Sequence, residues 1–345
     1  MVITRTPLRI SFFGGGTDYP IWYRAHGGAV LATTIDKSCY LTCRWLPPFF
    51  EYHSRISYSK VENVASNRAI EHPSVRACLQ FLGMQEGVEV HHVADLPART
   101  GLGTSSAFTV GLLLGLYALK EQMLDKHKLA TEAIHVEQDL IQEAVGAQDQ
   151  VSAAYGGFNR INFNQDGSID VNPIAAPQSR FTELEQHLAL YFTGFSRTAS
   201  EVAKEQLEMT PRKEKELRTM LQLVDEAEAI LTGSRRSLDD FGQLLHESWQ
   251  IKRTLTHKIT NSSIDQIYQA GLDAGALGGK LLGAGGGGFM LFFVPPQRQR
   301  ALRARLKNLL RVPFCFSKRG SHVVVYEAEK QYDHELAEER SLIYA

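Results

Sequence analysis

The chain has 345 residues, ordinary apolar content and a formal net charge of −1. That is enough for two domains with sizeable cores, without the bulk field that draws a protein to nucleic acid or an anionic membrane. The most apolar run, residues 107–119, is too short to span a bilayer. Residues 1–7 lack the apolar stretch of a signal peptide. Cys39, Cys43, Cys78 and Cys315 show neither metal nor redox spacing. As reduced, buried thiols they fit a cytoplasmic protein. The twelve histidines include no H-x-x-x-H pair, which argues against a protein-held transition metal.

In chain order, residues 8–13 and 29–45 read as strands, rich in β-branched and aromatic side chains. Residues 88–94 form a further short strand, followed by a glycine-rich loop and an apolar helix from about Ser106. A second helix is expected over 126–144, then a strand over 155–163 closed by the turn Asn164-Gln165-Asp166-Gly167. The second half opens with a strand at 188–192 and a helical stretch over 200–257, broken near Pro211 and Gly233. Ser262 or Ser263 is expected to cap the next helix, whose apolar face is Ile264, Ile267, Tyr268 and Leu272. A glycine cluster leads into a strand at 289–294, and one more helix and a strand at 323–326 follow. The pattern predicts α+β architecture in two domains, 1–178 and 179–345. The basic run from Arg298 to Arg311 reads as a solvated helix face.

Three motifs carry chemistry. The first to consider is Pro97-Ala98-Arg99-Thr100-Gly101-Leu102-Gly103-Thr104-Ser105-Ser106-Ala107, between a strand and a helix. Glycines let backbone approach a ligand, and the helix start presents N–H groups and partial positive charge, so a phosphate is the natural guest. Neither common phosphate signature competes. Gly279-Lys280 lacks the Ser or Thr of a Walker loop, and Gly283, Gly285 and Gly288 precede a strand where a dinucleotide fingerprint precedes a helix. The second motif is Thr6-Pro7-Leu8-Arg9-Ile10-Ser11-Phe12-Phe13-Gly14-Gly15-Gly16-Thr17-Asp18-Tyr19-Pro20, where Asp18 has the chemistry to hold two vicinal hydroxyls. The third is Lys280-Leu281-Leu282-Gly283-Ala284-Gly285-Gly286-Gly287-Gly288-Phe289.

In this order the three motifs resemble the GHMP kinase superfamily, over nearly the whole chain. The resemblance implies a ribosomal-protein-S5-like N-terminal domain and a ferredoxin-like C-terminal domain. It implies ATP-dependent phosphorylation of a small-molecule hydroxyl with Mg²⁺. Pro97, Gly101, Leu102, Gly103, Thr104, Ser105 and Ser106 match the nucleotide-binding loop. Gly146-Ala147-Gln148-Asp149-Gln150 is similar to the family's G-x-x-D-Q element. On that match Asp149 takes the proton of the acceptor hydroxyl and Arg9 pairs with Asp149. Ser105 and Glu137 match the positions that hold Mg²⁺. Ala147 departs from the lysine that close sugar-phosphate kinases carry before the glutamine.

The N-terminal motif departs from the G-E-H-T-D-Y of galactokinases. Gly14-Gly15-Gly16 removes the Glu and His side chains and opens space beside the sugar. With residues 27–31 and 34–37, this resembles the D-glycero-D-manno-heptose 7-phosphate kinases. These phosphorylate the anomeric hydroxyl on the way to GDP-heptose for surface polysaccharide. The acceptor side would then be Gly15, Gly16, Thr17, Asp18, Gly285 and Gly286. Arg197, Lys204 and Lys37 are candidates for its distant phosphate. A homodimer is a candidate assembly. Fucose kinases carry a similar glycine-rich motif and are the runner-up. A non-catalytic sugar-binding regulator and an ATP-dependent decarboxylase are the rivals from other classes.

Overall fold

The computed structural model describes residues 1–98, 100–194, 199–233 and 236–328. The first sheet is built on two long antiparallel strands, β1 (Val2–Phe13) and β2 (Gly28–Trp45), with α1 (Pro20–His26) in the connection. Every residue of β2 from 28 to 35 is buried, and beyond that burial becomes intermittent. Because successive side chains point to opposite faces, the first half is covered on both sides.

Along its other edge β2 pairs with β6 (Phe158–Phe163) through residues 28–33 and with β5 (Val88–Ala94) through residues 39–45. β3 (Ser54–Ser57) and β4 (Val61–Val64) extend the β5 side, and β7 (Ile169–Pro173) pairs with β6. α2 (Pro73–Phe81) precedes β5. α3 (Thr104–Leu119) lies on β1 and β2, and all of it except Ser105 is buried. It is apolar on every side, as expected for a helix at the centre of a domain.

The helix expected over 126–144 stops early. α4 (Lys126–His135) is followed by one π turn, Val136–Leu140. Irregular chain then leads to α5 (Gln148–Tyr155). The π turn inserts an extra residue per turn, at the point where Glu137 is placed against α3.

After α6 (Gln178–His187) the chain builds a second, four-stranded antiparallel sheet. Its order is β11 (Leu310–Val312), β8 (Leu188–Gly194), β10 (Gly288–Phe293), β9 (Gly278–Leu281). The expected breaks near Pro211 and Gly233 separate α7 (Ala199–Met209), α8 (Glu214–Thr232) and α9 (Leu238–Lys252). Asn261, not Ser262 or Ser263, caps α10 (Ser262–Asp273), its side-chain oxygen accepting the N–H of Ile264 at 3.0 Å. α11 (Gln299–Arg305) carries the basic run, with Arg300, Arg303 and Arg305 exposed.

The chain then crosses back. β12 (Phe316–Ser317) pairs with β2, and β13 (His322–Tyr326) pairs with β1. The region expected as a second domain over 179–345 thus contributes its last described strands to the first sheet. α8 packs on β1 and β2, and α9 on β1 and β9. The first sheet is therefore clamped against the second unit near Gly14, just past the end of β1.

Candidate active site

The loop before α3 is held between two other segments. On one side Arg9 projects from β1. Its Nε donates to Asp149 Oδ1 at 2.7 Å, its Nη2 to Asp149 Oδ2 at 2.8 Å and its Nη1 to the carbonyl of Gly101 at 2.7 Å. The carbonyl of Leu102 accepts the backbone N–H of Arg9 at 3.0 Å. On the other side lies the third glycine motif. A Cβ on Gly283 would come within 2.3 Å of Gly101 Cα. Gly103 has φ +72°, and a Cβ there would sit 3.2 Å from Asp149 Oδ2. Only glycine brings the loop this close to the carboxylate while turning left-handed into the helix. α3 has no side-chain cap and no acidic residue in its first turn, so its partial positive charge is left for an anionic ligand. One charged pair, one helix start and two glycine loops thus meet at one place.

Glu137 stands beside this helix start, fully buried. Its Oε2 accepts from Ser106 Oγ at 2.8 Å and also from Gln150 Nε2. Its Oε1 has no partner. Burial pushes its carboxyl up to about 7, against hydrogen bonds that pull it down. It is Ser106, not Ser105, whose hydroxyl bonds Glu137; Ser105 is exposed at the loop surface. No cluster of three or more His, Cys, Asp or Glu suited to a metal occurs among the described residues. An unpartnered carboxylate oxygen near this helix start fits a hard cation that takes most of its ligands from phosphate and water, as Mg²⁺ does.

The N-terminal motif packs against the segment that carries Asp149. Thr17 is buried, its Oγ1 donating within hydrogen-bond distance of the carbonyls of Gly14 and Ala29. Asp18, expected to face hydroxyls, is 1 % exposed. Its Oδ1 accepts from Gly16 N at 2.9 Å and its Oδ2 from Gln148 N at 3.4 Å. Burial raises its pKa, helped by the nearby Asp149 charge. Asp18 thereby ties the glycine motif to the segment that carries Asp149.

The other expected acceptor-side residues lie further apart. A Cβ on Gly285 would meet Ile259 at 2.7 Å, and Gly286 N donates to the carbonyl of Ile259 at 3.0 Å. Lys37 pairs with Asp36 at 3.3 Å, and Lys204 is exposed on α7. Pro97 anchors the loop start, its carbonyl accepting from Thr100 Oγ1 at 2.7 Å. Arg197 lies outside the described residues.

Sequence reasoning missed the buried Lys252 and gave no role to Lys280, which opens the third motif. Lys252 Nζ donates to the carbonyls of Leu281 (3.3 Å) and Gly283 (2.5 Å), and Lys280 Nζ to that of Phe12 at 2.7 Å. Burial, with the Arg9 charge nearby, pushes the Lys252 ammonium down to about 8. Burial and the Lys252 charge carry Lys280 well below the usual lysine range. A signal existed for Lys252: it continues the apolar face of α9 marked by Phe241, Leu245, Ser248 and Trp249, where a solvated lysine has no place.

Residues 68–157 match the family model for the GHMP kinases N terminal domain, and residues 220–311 that for the GHMP kinases C terminal domain. A D-glycero-alpha-D-manno-heptose 7-phosphate kinase from Campylobacter jejuni is 30 % identical over 336 residues, 92 % of this chain and 97 % of the relative. The chain belongs to the GHMP kinase family. It is an ATP-dependent kinase. The kinase is also 26 % identical over 336 residues to a bifunctional fucokinase/GDP-fucose pyrophosphorylase from Arabidopsis thaliana, covering 88 % of this chain and 31 % of that longer one. Its fold superposes on a D-glycero-D-manno-heptose 1-phosphate kinase from Bacteroides thetaiotaomicron with TM-score 0.71 and 24 % identity, over 95 % of this chain and 100 % of that one. Among the described residues no helix of the kinase is long and apolar enough to cross a membrane.

Proposed function

We propose that this kinase phosphorylates a sugar, specifically the anomeric hydroxyl of D-glycero-alpha-D-manno-heptose 7-phosphate, giving the 1,7-bisphosphate. One observation carries the placing of the chemistry: the Cβ position of Gly103 lies 3.2 Å from Asp149 Oδ2. A phosphoryl group seated on the loop is then within reach of a hydroxyl bonded to Asp149. The heptose assignment is supported by the relative that is 30 % identical over almost its full length and by the side-chain-free Gly14-Gly15-Gly16 triplet.

The residues divide the work. Backbone N–H groups of residues 101–106 cradle the phosphates. Asp149 accepts the hydroxyl proton, and the Arg9 fork orients it and shields charge developing at the transfer point. Glu137 Oε1 and the Ser105 hydroxyl would hold the cation. When bound, ATP supplies the γ-phosphoryl group and Mg²⁺ neutralises charge on its oxygens. Arg197, with Lys204 and Lys37, is assigned to the 7-phosphate, because a dianion distant from the reacting hydroxyl needs its own donors.

The test is a screen with ATP and Mg²⁺ against heptose 7-phosphate, unphosphorylated heptose, L-fucose, galactose and mevalonate, with the product linkage read by phosphorus NMR. Efficient use of fucose or galactose in preference to heptose 7-phosphate would overturn the heptose assignment. A folded protein that turns over no acceptor would instead be a regulator.

A further inference from the structure

The three glycines 14–16 are glycine for different reasons. Gly14 has φ +80°, and a Cβ would lie 1.9 Å from the Ala29 carbonyl. Gly16 has φ +106°, and a Cβ would meet Gln206 Nε2 at 2.9 Å. Gly15 has neither constraint. Its φ is outside the left-handed region, and a Cβ would touch only Gln148 Nε2 at 3.8 Å and Ser11 Oγ at 3.9 Å, ordinary van der Waals separations. Backbone and packing both admit a side chain at 15, yet none is present. The result is a small hollow between Ser11 and Gln148.

Ser11 Oγ, beside this hollow, is buried and unpartnered, and Gln148, which faces the hollow with Nε2, has a buried, unpartnered Oε1. Each such atom costs a folded protein on the order of 1–3 kcal/mol if nothing fills the gap. An unpartnered hydroxyl and an amide N–H group facing one unfilled space point to an absent polar guest. The hollow also lies beside the reacting groups. Ser11 follows Arg9 by two residues on β1, so both side chains leave the same face. Gln148 directly precedes Asp149, and its segment is fixed by Asp18, which takes the N–H groups of Ala147 and Gln148.

We propose that the hollow at Gly15 is a subsite that reads one hydroxyl of the acceptor, adjacent to the hydroxyl that reacts. That hydroxyl accepts from Gln148 Nε2 and donates to Ser11 Oγ. A hydroxyl meets both through one oxygen, so the subsite favours an acceptor with a hydroxyl vicinal to the one that reacts. Ser11 and Gln148 are then specificity-determining residues, and Gly15 is the position that keeps their space open. The inference rests on the reading that Asp149 faces the acceptor.

The experiment uses the full chain and the variants Ser11→Ala, Gln148→Leu and Gly15→Ala, with heptose 7-phosphate and ATP as probes. Each variant is expected to raise the acceptor KM by about 10- to 100-fold, with the ATP KM within about twofold. The Ser11→Ala/Gln148→Leu double variant should lose little beyond the worse single one, because both read one hydroxyl. Gly15→Ala adds no clash and reports on space alone. An unchanged acceptor KM in all three folded variants overturns the proposal and makes the guest a resident water. If the wild-type protein does not use heptose 7-phosphate, the substrate assignment fails separately. The same variants are then read with L-fucose: a raised KM supports the subsite and an unchanged one overturns it.

Discussion

Replacing Asp149 by asparagine separates chemistry from stability. Asn keeps an oxygen for Arg9 Nε but sets an NH₂ group against Arg9 Nη2, so one of the two bonds, 2.7 and 2.8 Å long, is lost. The Arg9 charge, on a side chain 5 % exposed, then lacks its carboxylate. Breaking a fully buried pair costs about 3–5 kcal/mol. Asp149 is 23 % exposed, so solvent screening lowers the expected loss to about 2 kcal/mol. The loss of a general base should lower kcat by about 10²–10⁴-fold, or roughly 2.7–5.5 kcal/mol of barrier. The two effects part company in the double variant Arg9→Met/Asp149→Asn. Removing both charges should recover most of the stability in urea unfolding, while turnover, read by a coupled ADP assay, stays at or below that of Asp149→Asn. Near-normal kcat in folded Asp149→Asn, or activity that returns with stability in the double variant, would refute the role.

Three further expectations follow from the site. Ser105→Ala should raise the Mg²⁺ or ATP requirement, and Gly103→Val should do worse, since valine at φ +72° is strained and its side chain crowds Asp149; unchanged nucleotide binding in both would reduce the loop to a helix start. Glu137, raised from 4.5 to about 7, holds its proton more tightly in the folded state. Its contribution to stability is therefore full below pH 4.5 and is lost as pH rises through about 7. Without Mg²⁺ or nucleotide, the wild-type protein should lose about 2–3 kcal/mol relative to Glu137→Gln between pH 5 and pH 8, and parallel unfolding curves would rule this out. Arg197→Ala should lower kcat/KM for heptose 7-phosphate by roughly 1.5–3 kcal/mol and leave turnover of unphosphorylated heptose nearly unchanged; equal loss on both would place Arg197 elsewhere.

Much of the fold was legible where local pattern and tertiary demand agree. The strand expected at 88–94 is β5, a valine-rich stretch with Gly87 before it and Asp95 and Pro97 after it. The breaks at Pro211 and Gly233 were also legible, because proline and glycine act through local backbone chemistry. Four-residue strands such as β3 and β4 fell below any periodicity that a window can detect. β9 was hidden inside a glycine cluster that reads as loop, although Gly278–Leu281 pairs along β10. The helix expected to continue to residue 144 carried no breaker at 136. Its change to a π turn places Glu137 against Ser106 and Gln150, a tertiary requirement with no local signature.

By itself the sequence determined the α+β kinase fold, the glycine loop proposed to hold phosphate, and Arg9 and Asp149, which the structure pairs beside it. Those features rest on residue types in order along the chain, and order is what a sequence contains. Only the tertiary structure decided which serine meets Glu137, that Asp18 spends its oxygens on backbone N–H groups, and that Lys252 and Lys280 are buried with their ammonium groups on backbone carbonyls. It also decided that Gly15 alone of its triplet is open space. Each of these depends on segments 31 residues apart (Ser106 and Glu137) to 268 apart (Lys280 and Phe12) arriving at one point, or on whether a Cβ would clash, and neither can be read from neighbours along the chain.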